Sequence, residues 1–359
     1  MGKASVNKFS KERQLSFLGL GNNINEQGFS IDDYLNFTGG SQAMMAGGGM
    51  RLQFSSDGSS DGVPLNLMGN RANGIMNSYA AGANLNNDFN KNSTINASYF
   101  FNYIDHDRLK STYRENFLPA GSFLYTDESR QRNSNENHRV NMTVEHSLDS
   151  ANSVKLTSSF QYNLTDMNSS GASESSSSDN TLQNTSESLN LSSGTTLASN
   201  SSLLLRHKFR KKGRTLSANL TLGIRQAGQE GRLHAVNNYI GQATEQQIID
   251  QRNYQTTDNL NYSGTLAYTE PLGGRKYLEA RYTYRVNSSE VLRDVFDIEN
   301  DQETWNPLLS NQYTSDYLYN QAGLNVKLNR SKYNVTLGAA YQNTHLKGDL
   351  ILLGTTINK

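Results

Sequence analysis

The chain has 359 residues, 33 basic and 33 acidic side chains, no cysteine and only 4 prolines. Zero net charge leaves no field to steer it onto phosphate backbones, which excludes a generic nucleic-acid role. The lack of cysteine excludes disulfides, thiolate catalysis and Cys-ligated zinc. With Gly counted and Tyr left out, about 38% of the chain is apolar against roughly 45–50% in ordinary domains. Core material is therefore short, while 19 Tyr and 13 Phe beside so little Pro favour strands over disorder.

In chain order, the first residues, Met1 to Arg13, lack the apolar core of a secretory signal. No stretch approaches the roughly 20 apolar residues of a membrane helix, and Leu350-Ile351-Leu352-Leu353 is far too brief. Period-two alternation dominates instead and places successive side chains on opposite faces of a strand. After Leu15 to Leu20 and Ile75 to Leu85, residues 93 to 104 set Ile95, Ala97, Tyr99, Phe101 and Tyr103 against Thr94, Asn96, Ser98 and Asn102, with Phe100 the one exception. The same split recurs at Val140 to Val144, Val154 to Tyr162, Leu216 to Ile224, Leu278 to Tyr284 and Val335 to Tyr341. With Leu203 to Phe209, Leu260 to Tyr268 and Leu318 to Leu328 this predicts about eleven strands.

Their connections alternate in length. Short turns are expected at Asn90 to Asn92, Asp149 to Asn152, Arg210 to Arg214, Glu270 to Gly274 and Asn329 to Lys332. Long polar loops are expected at 23–73, 105–137, 166–200, 226–256 and 288–315. The Ser-rich run Ser169 to Ser178 has little to bury, so it is expected to be mobile and open to protease or a tag near Ser176, with Lys211 hidden at the other end.

A sheet trimmed at one end and elaborated at the other is the pattern of a transmembrane β-barrel with short periplasmic turns and long extracellular loops. A sandwich would carry long loops at both ends, and a solenoid would show a fixed repeat. The expected fold is all-β, an antiparallel transmembrane barrel in which Leu220, Leu222, Tyr282 and Leu337 face lipid. Phe89, Phe209, Tyr268 and Tyr333 fall beside short turns, whereas Tyr103, Tyr162, Tyr284 and Tyr341 fall toward the long loops, as two interfacial girdles would.

Local motifs yield no chemistry. The Gly-rich run Gly39 to Gly49 lacks the Lys and following Ser/Thr of a phosphate loop and reads as an external loop, preceded by a short helix that Ser30 would cap. Arg210-Lys211-Lys212-Gly213-Arg214 reads as a solvated turn. His106, His138, His146, His207, His234 and His345 lack paired ligand spacing. Asp297 to Glu303 offers oxygen ligands to calcium without the EF-hand pattern. Sequons such as Asn141-Met142-Thr143 follow from alternation and are assigned no glycan. No catalytic, metal or cofactor residue is assigned, no cofactor is expected, and the expectation is that the chain is not an enzyme.

Residues 13 to 40, RQLSFLGLGNNINEQGFSIDDYLNFTGG, together with 82 to 122 and 137 to 163, resemble a Bacteroidota-type outer-membrane β-barrel family similar to TonB-dependent receptors. The resemblance implies a larger barrel, a plug domain, an energy-transducing partner at the inner membrane, and uptake of a ligand. No plug, signal peptide or aromatic C-terminus is visible, so residues 1–359 are expected to form one barrel domain that is an internal fragment of a longer barrel. The expected function is an outer-membrane receptor or transporter segment in contact with outer-membrane lipid. Its unknown ligand would be met at the extracellular loops, with no nucleic-acid partner. The alternatives are a passive porin or structural barrel, and a soluble secreted β-rich adhesin.

Overall fold

The computed structural model describes residues 1–24, 74–118, 121–240, 245–330, 333–352 and 354–358. These residues contain no helix and form one antiparallel sheet of 14 strands. In chain order the strands are β1 (Gly2–Phe9), β2 (Arg13–Asn22), β3 (Ile75–Asn90), β4 (Ser93–Leu118), β5 (Gly121–Ser147), β6 (Asn152–Ser177) and β7 (Leu182–Lys208). There follow β8 (Thr215–Tyr239), β9 (Glu245–Gly273), β10 (Lys276–Glu299), β11 (Gln302–Trp305), β12 (Asn311–Asn329), β13 (Asn334–Leu350) and β14 (Thr355–Asn358). Each lies beside its neighbour in sequence, except that β12 pairs with β10 and β11 folds back on the far end of β10. β1 and β14 are the edges, and the sheet is not closed on itself.

The eleven expected strands correspond to β2 through β10, β12 and β13. The three others lack a readable face: β1 is exposed along its whole length, and β11 and β14 have 4 residues each. The short turns all lie at one end of the sheet, as expected, joined there by Ser10 to Glu12. The run Gly39 to Gly49 and the helix capped by Ser30 lie outside the described residues.

The long loops at 105–137, 166–200, 226–256 and 288–315 require correction, because they fold almost entirely as paired strand. Pairing of β6 with β7 runs without interruption from Asn152 opposite His207 to Ser175 opposite Asn184, and takes in most of the Ser-rich run expected to be mobile. The physical reason lies in what alternation reports. A strand shows period two only where its faces meet different media, and where both faces meet water the signal vanishes while backbone pairing remains available. Register set in the alternating half carries straight into the polar half.

Burial decides between barrel and sandwich. The buried apolar side chains Leu20, Met76, Ala80, Phe100, Ala235 and Val295 all project from the polar face. Phe100, the exception to the alternation, packs there with Leu20 and Ala80 beside Leu18. On the oily face Leu220 is 51% exposed, Leu222 47%, Tyr282 47% and Leu337 74%. Among the described residues no second sheet covers these side chains, so the oily face is the one that meets lipid.

The aromatic positions measure the tilt. The row of paired residues through Tyr103 passes Glu136, Leu164, Thr195, Gly228, Thr256 and Leu292 to Gln312. On β10 that row lies eight residues beyond Tyr284, and on β13, where Ile351 meets Gln312, it lies ten beyond Tyr341. The row through Asp88 reaches Gln342, nine residues beyond Tyr333. Both girdles thus drift by about one residue per strand, which at ~3.4 Å rise and ~4.8 Å spacing is a tilt of roughly 40°. On β13 the interval from Tyr333 to Tyr341 then measures about 20 Å along the membrane normal, close to the apolar band of such barrels.

Candidate functional site

The polar face between the girdles is a wall of hydrogen-bonding side chains, because each strand alternates and most residues on that face are Ser, Thr, Asn or Gln, interspersed with charged groups such as Arg139, Arg225, Glu279 and Arg281. Ser202 Oγ donates to Asn219 Oδ1 at 2.8 Å, the Thr221 and Ser263 hydroxyls meet at 2.6 Å, and those of Thr265 and Thr283 at 3.1 Å. Arg139, 8% exposed, donates through Nη2 to Gln161 Oε1 at 3.0 Å. Glu279 is held by Lys327. Such a wall ties many of its polar groups across strands and presents a hydrated surface to a solute.

Beyond the Tyr103 girdle the strands continue as paired hairpins, and here the outward face turns charged. Arg132 grips Asp105 through Nε and Nη2 at 3.0 and 2.9 Å, Arg130 grips Asp107 at 3.1 and 2.6 Å, and Arg232 grips Asp250 at 3.3 and 3.1 Å. Arg252 reaches Glu303 at 2.8 Å and Glu230 at 3.5 Å. The guanidinium beside each holds the Asp107 and Asp250 carboxyls below the usual range. A cavity of about 510 Å³ lies among these groups, lined by Asp105, Arg132, Asp166, Glu230, Arg232 and Arg252. Pairing brings them together from five strands, so no local spacing announces them.

At the turn end, Glu270 accepts from Arg214 Nε and Nη2 at 2.7 and 2.8 Å, from Lys211 Nζ at 2.5 Å and from the Tyr268 hydroxyl at 2.7 Å. Arg214 chiefly, then Lys211 and Tyr268, hold its carboxyl far below the usual range. The basic turn is thus tied to the neighbouring hairpin. Asp149 closes the β5–β6 turn by accepting from the Ala151 and Asn152 amides at 2.6 and 2.7 Å.

The histidines stay apart: His138 Nδ1 meets the Tyr99 hydroxyl, His146 meets Ser93, His207 meets Asn152, and His234 meets Asp250. In the acidic run Asp297 accepts from Gln251 and Asn306, and Glu303 from Arg252. Among the described residues no group of three His, Asp or Glu side chains converges to hold a metal.

A single tilted antiparallel sheet with an exposed apolar belt, a polar wall and one elaborated end has the architecture of an outer-membrane barrel wall. Residues 207–359 match the model of the outer membrane protein beta-barrel family. Together with the exposed belt, this match places the chain in the outer membrane. No curated protein matches it. Among solved structures it is similar to the translocator domain of the autotransporter NalP from Neisseria meningitidis, at 11% identity, covering 88% of this chain and 98% of that one, with a TM-score of 0.19. The siderophore receptor PiuA from Acinetobacter baumannii is 6% identical over 97% of this chain and 74% of that one, at 0.15. The ferripyoverdine receptor of Pseudomonas aeruginosa is 6% identical over 97% and 65%, at 0.14. Scores this low do not establish a common fold.

Proposed function

We propose that the chain forms part of the wall of an outer-membrane receptor or transporter of the TonB-dependent kind, and that it does no chemistry of its own. The observation that carries this is the pairing of a hydrated inner wall with tall polar hairpins at one end only. A wall of that kind admits a polar solute, and the hairpins give it a place to be met before entry. On this reading the partners are lipid at the belt, a ligand at the hairpins, and a plug and energy-transducing protein supplied from outside the described sheet. The charge-paired outer face fits the wall of a barrel.

Conductance separates this from the passive porin. The protein in planar bilayers under symmetric potassium chloride is expected to stay closed, as a plugged receptor does. Steady open-channel current from the untreated protein would establish the porin instead.

A further inference from the structure

On the reading of the polar face as a wall that admits a solute, we infer that Tyr313, Tyr317 and Tyr319, set between Arg285 and Arg293, form its binding track. The solute that fits this track is an acidic oligosaccharide with repeated carboxylates.

Pairing of β10 with β12 sets Arg285 opposite Tyr319, Asn287 opposite Tyr317, Ser289 opposite Ser315, Val291 opposite Tyr313 and Arg293 opposite Asn311. All ten project from the polar face, by the same alternation that sends Tyr284 and Leu318 outward. Rings are scarce elsewhere on that face: β6, β7 and β9 carry none there, and β8 only Tyr239 at its tip. Tyr313 is 38% exposed, and Arg285 and Arg293 are exposed as well, so the tyrosines of β12 do not fill a core. Arg285 Cζ stands 5.8 Å from the centre of the Tyr319 ring. That contact orients the guanidinium while leaving its hydrogen-bonding fork open.

Charge on the track is uncompensated. On the outward face Arg130, Arg132, Arg232 and Arg252 each close on a carboxylate. Among the described residues Arg285 and Arg293 close on none. The acidic groups that β10 places on this face lie beyond both ends of the track: Glu279 is held by Lys327, Asp297 accepts from Gln251 and Asn306, and Glu299 is the last residue of the strand.

The spacing selects the solute. Arg285 follows the girdle residue Tyr284, and Arg293 stands eight residues further out, about 27 Å along the strand. A small anion meets one guanidinium and leaves the other idle, whereas a chain with repeated carboxylates meets both, each in a bidentate pair. Between them the track offers rings for the C–H face of a sugar, and Asn287, Ser289 and Ser315 for the hydroxyls around its edge. An acidic peptide finds less here. Along the track β10 and β12 are paired on both sides and leave no free backbone edge for an extended chain to join.

The test is isothermal titration calorimetry on the protein purified in mild detergent, with pentagalacturonate as the probe. Wild type is expected to bind it, and to bind the fully methyl-esterified pentamer at least about tenfold more weakly. R285Q/R293Q should lose at least about tenfold in affinity for the acid, R285K/R293K, which keeps the charge, should fall between, and R132Q on the outward face should match wild type. Y317A/Y319A should also weaken binding, whereas Y317F/Y319F, which keeps the rings and guards against misfolding, should retain most of it. Absence of binding by wild type overturns the proposal, as does equal affinity for acid and ester, or equal affinity of wild type and either R285Q/R293Q or Y317A/Y319A. Equal affinity for pentaglutamate would overturn it in favour of an acidic peptide. Steady current from a protein that binds the saccharide through these residues would remove the receptor reading and leave the track; a closed protein that does not bind it would remove the track alone.

Discussion

Leu220 and Asn219 are adjacent, belong to one strand, and meet different media: one projects to lipid with half its surface exposed, the other accepts from Ser202 across the wet face. Arg near the bilayer midplane on a lipid face costs roughly 2–4 kcal/mol. Leu220→Arg is therefore expected to impair assembly of the full-length barrel, and Asn219→Arg to be tolerated; comparable losses of heat-modifiable, folded protein on gels would remove the face assignment. Glu270 supplies the acid test. Its folded carboxyl is held well below the ordinary glutamate value of about 4.3, so its contribution to stability is complete above about that pH and is lost as pH falls through the folded value. Glu270→Gln should lower the melting temperature at neutral pH and shrink the difference from wild type below that ordinary value. A difference independent of pH would mean the ion pairs do not stabilise the turn.

The hairpins are the element on which the residue pattern misleads. The alternating halves of β4 through β10 were legible, with the aromatic girdles and the end at which the turns are short, because lipid on one side and water on the other imprint period two. The polar halves were not, since Ser169 to Ser177 carry no such imprint and composition alone argues for disorder. Phe100 was visible as an anomaly, but its partners Leu20 and Ala80 come from strands whose pairing only the sheet supplies. The charged cavity was illegible for the same reason. On intact cells expressing the protein, protease is accordingly expected to cut at the turn between Ser177 and Leu182 and to spare the run before it. Ser173→Pro, which removes a ladder donor from a strand paired on both sides, should extend cutting into that run. Cleavage spread along Ser169 to Ser177 in the unaltered protein would show that the hairpin is not paired there.

At the scale of the molecule, the drift of the girdles by one residue per strand ties the sheet to a membrane plane. Polarised infrared spectroscopy of the protein in oriented bilayers should return a mean strand tilt near 40° from the normal; strands upright to within about 10° would break the correspondence between aromatic positions and interfaces. Among the described residues β1 and β14 each have a neighbouring strand on one side only, and because lipid does not tolerate an open sheet edge, a membrane-spanning form pairs both edges.

Spanning takes about 10 residues of each strand, whereas β7 has 27 and β9 has 29. The surplus lifts the hairpin tips some 40 Å clear of the bilayer, and pairing on both sides makes that height stiff. The molecule is thus a parapet as much as a wall: whatever approaches from that end meets paired strand well before it meets the bilayer.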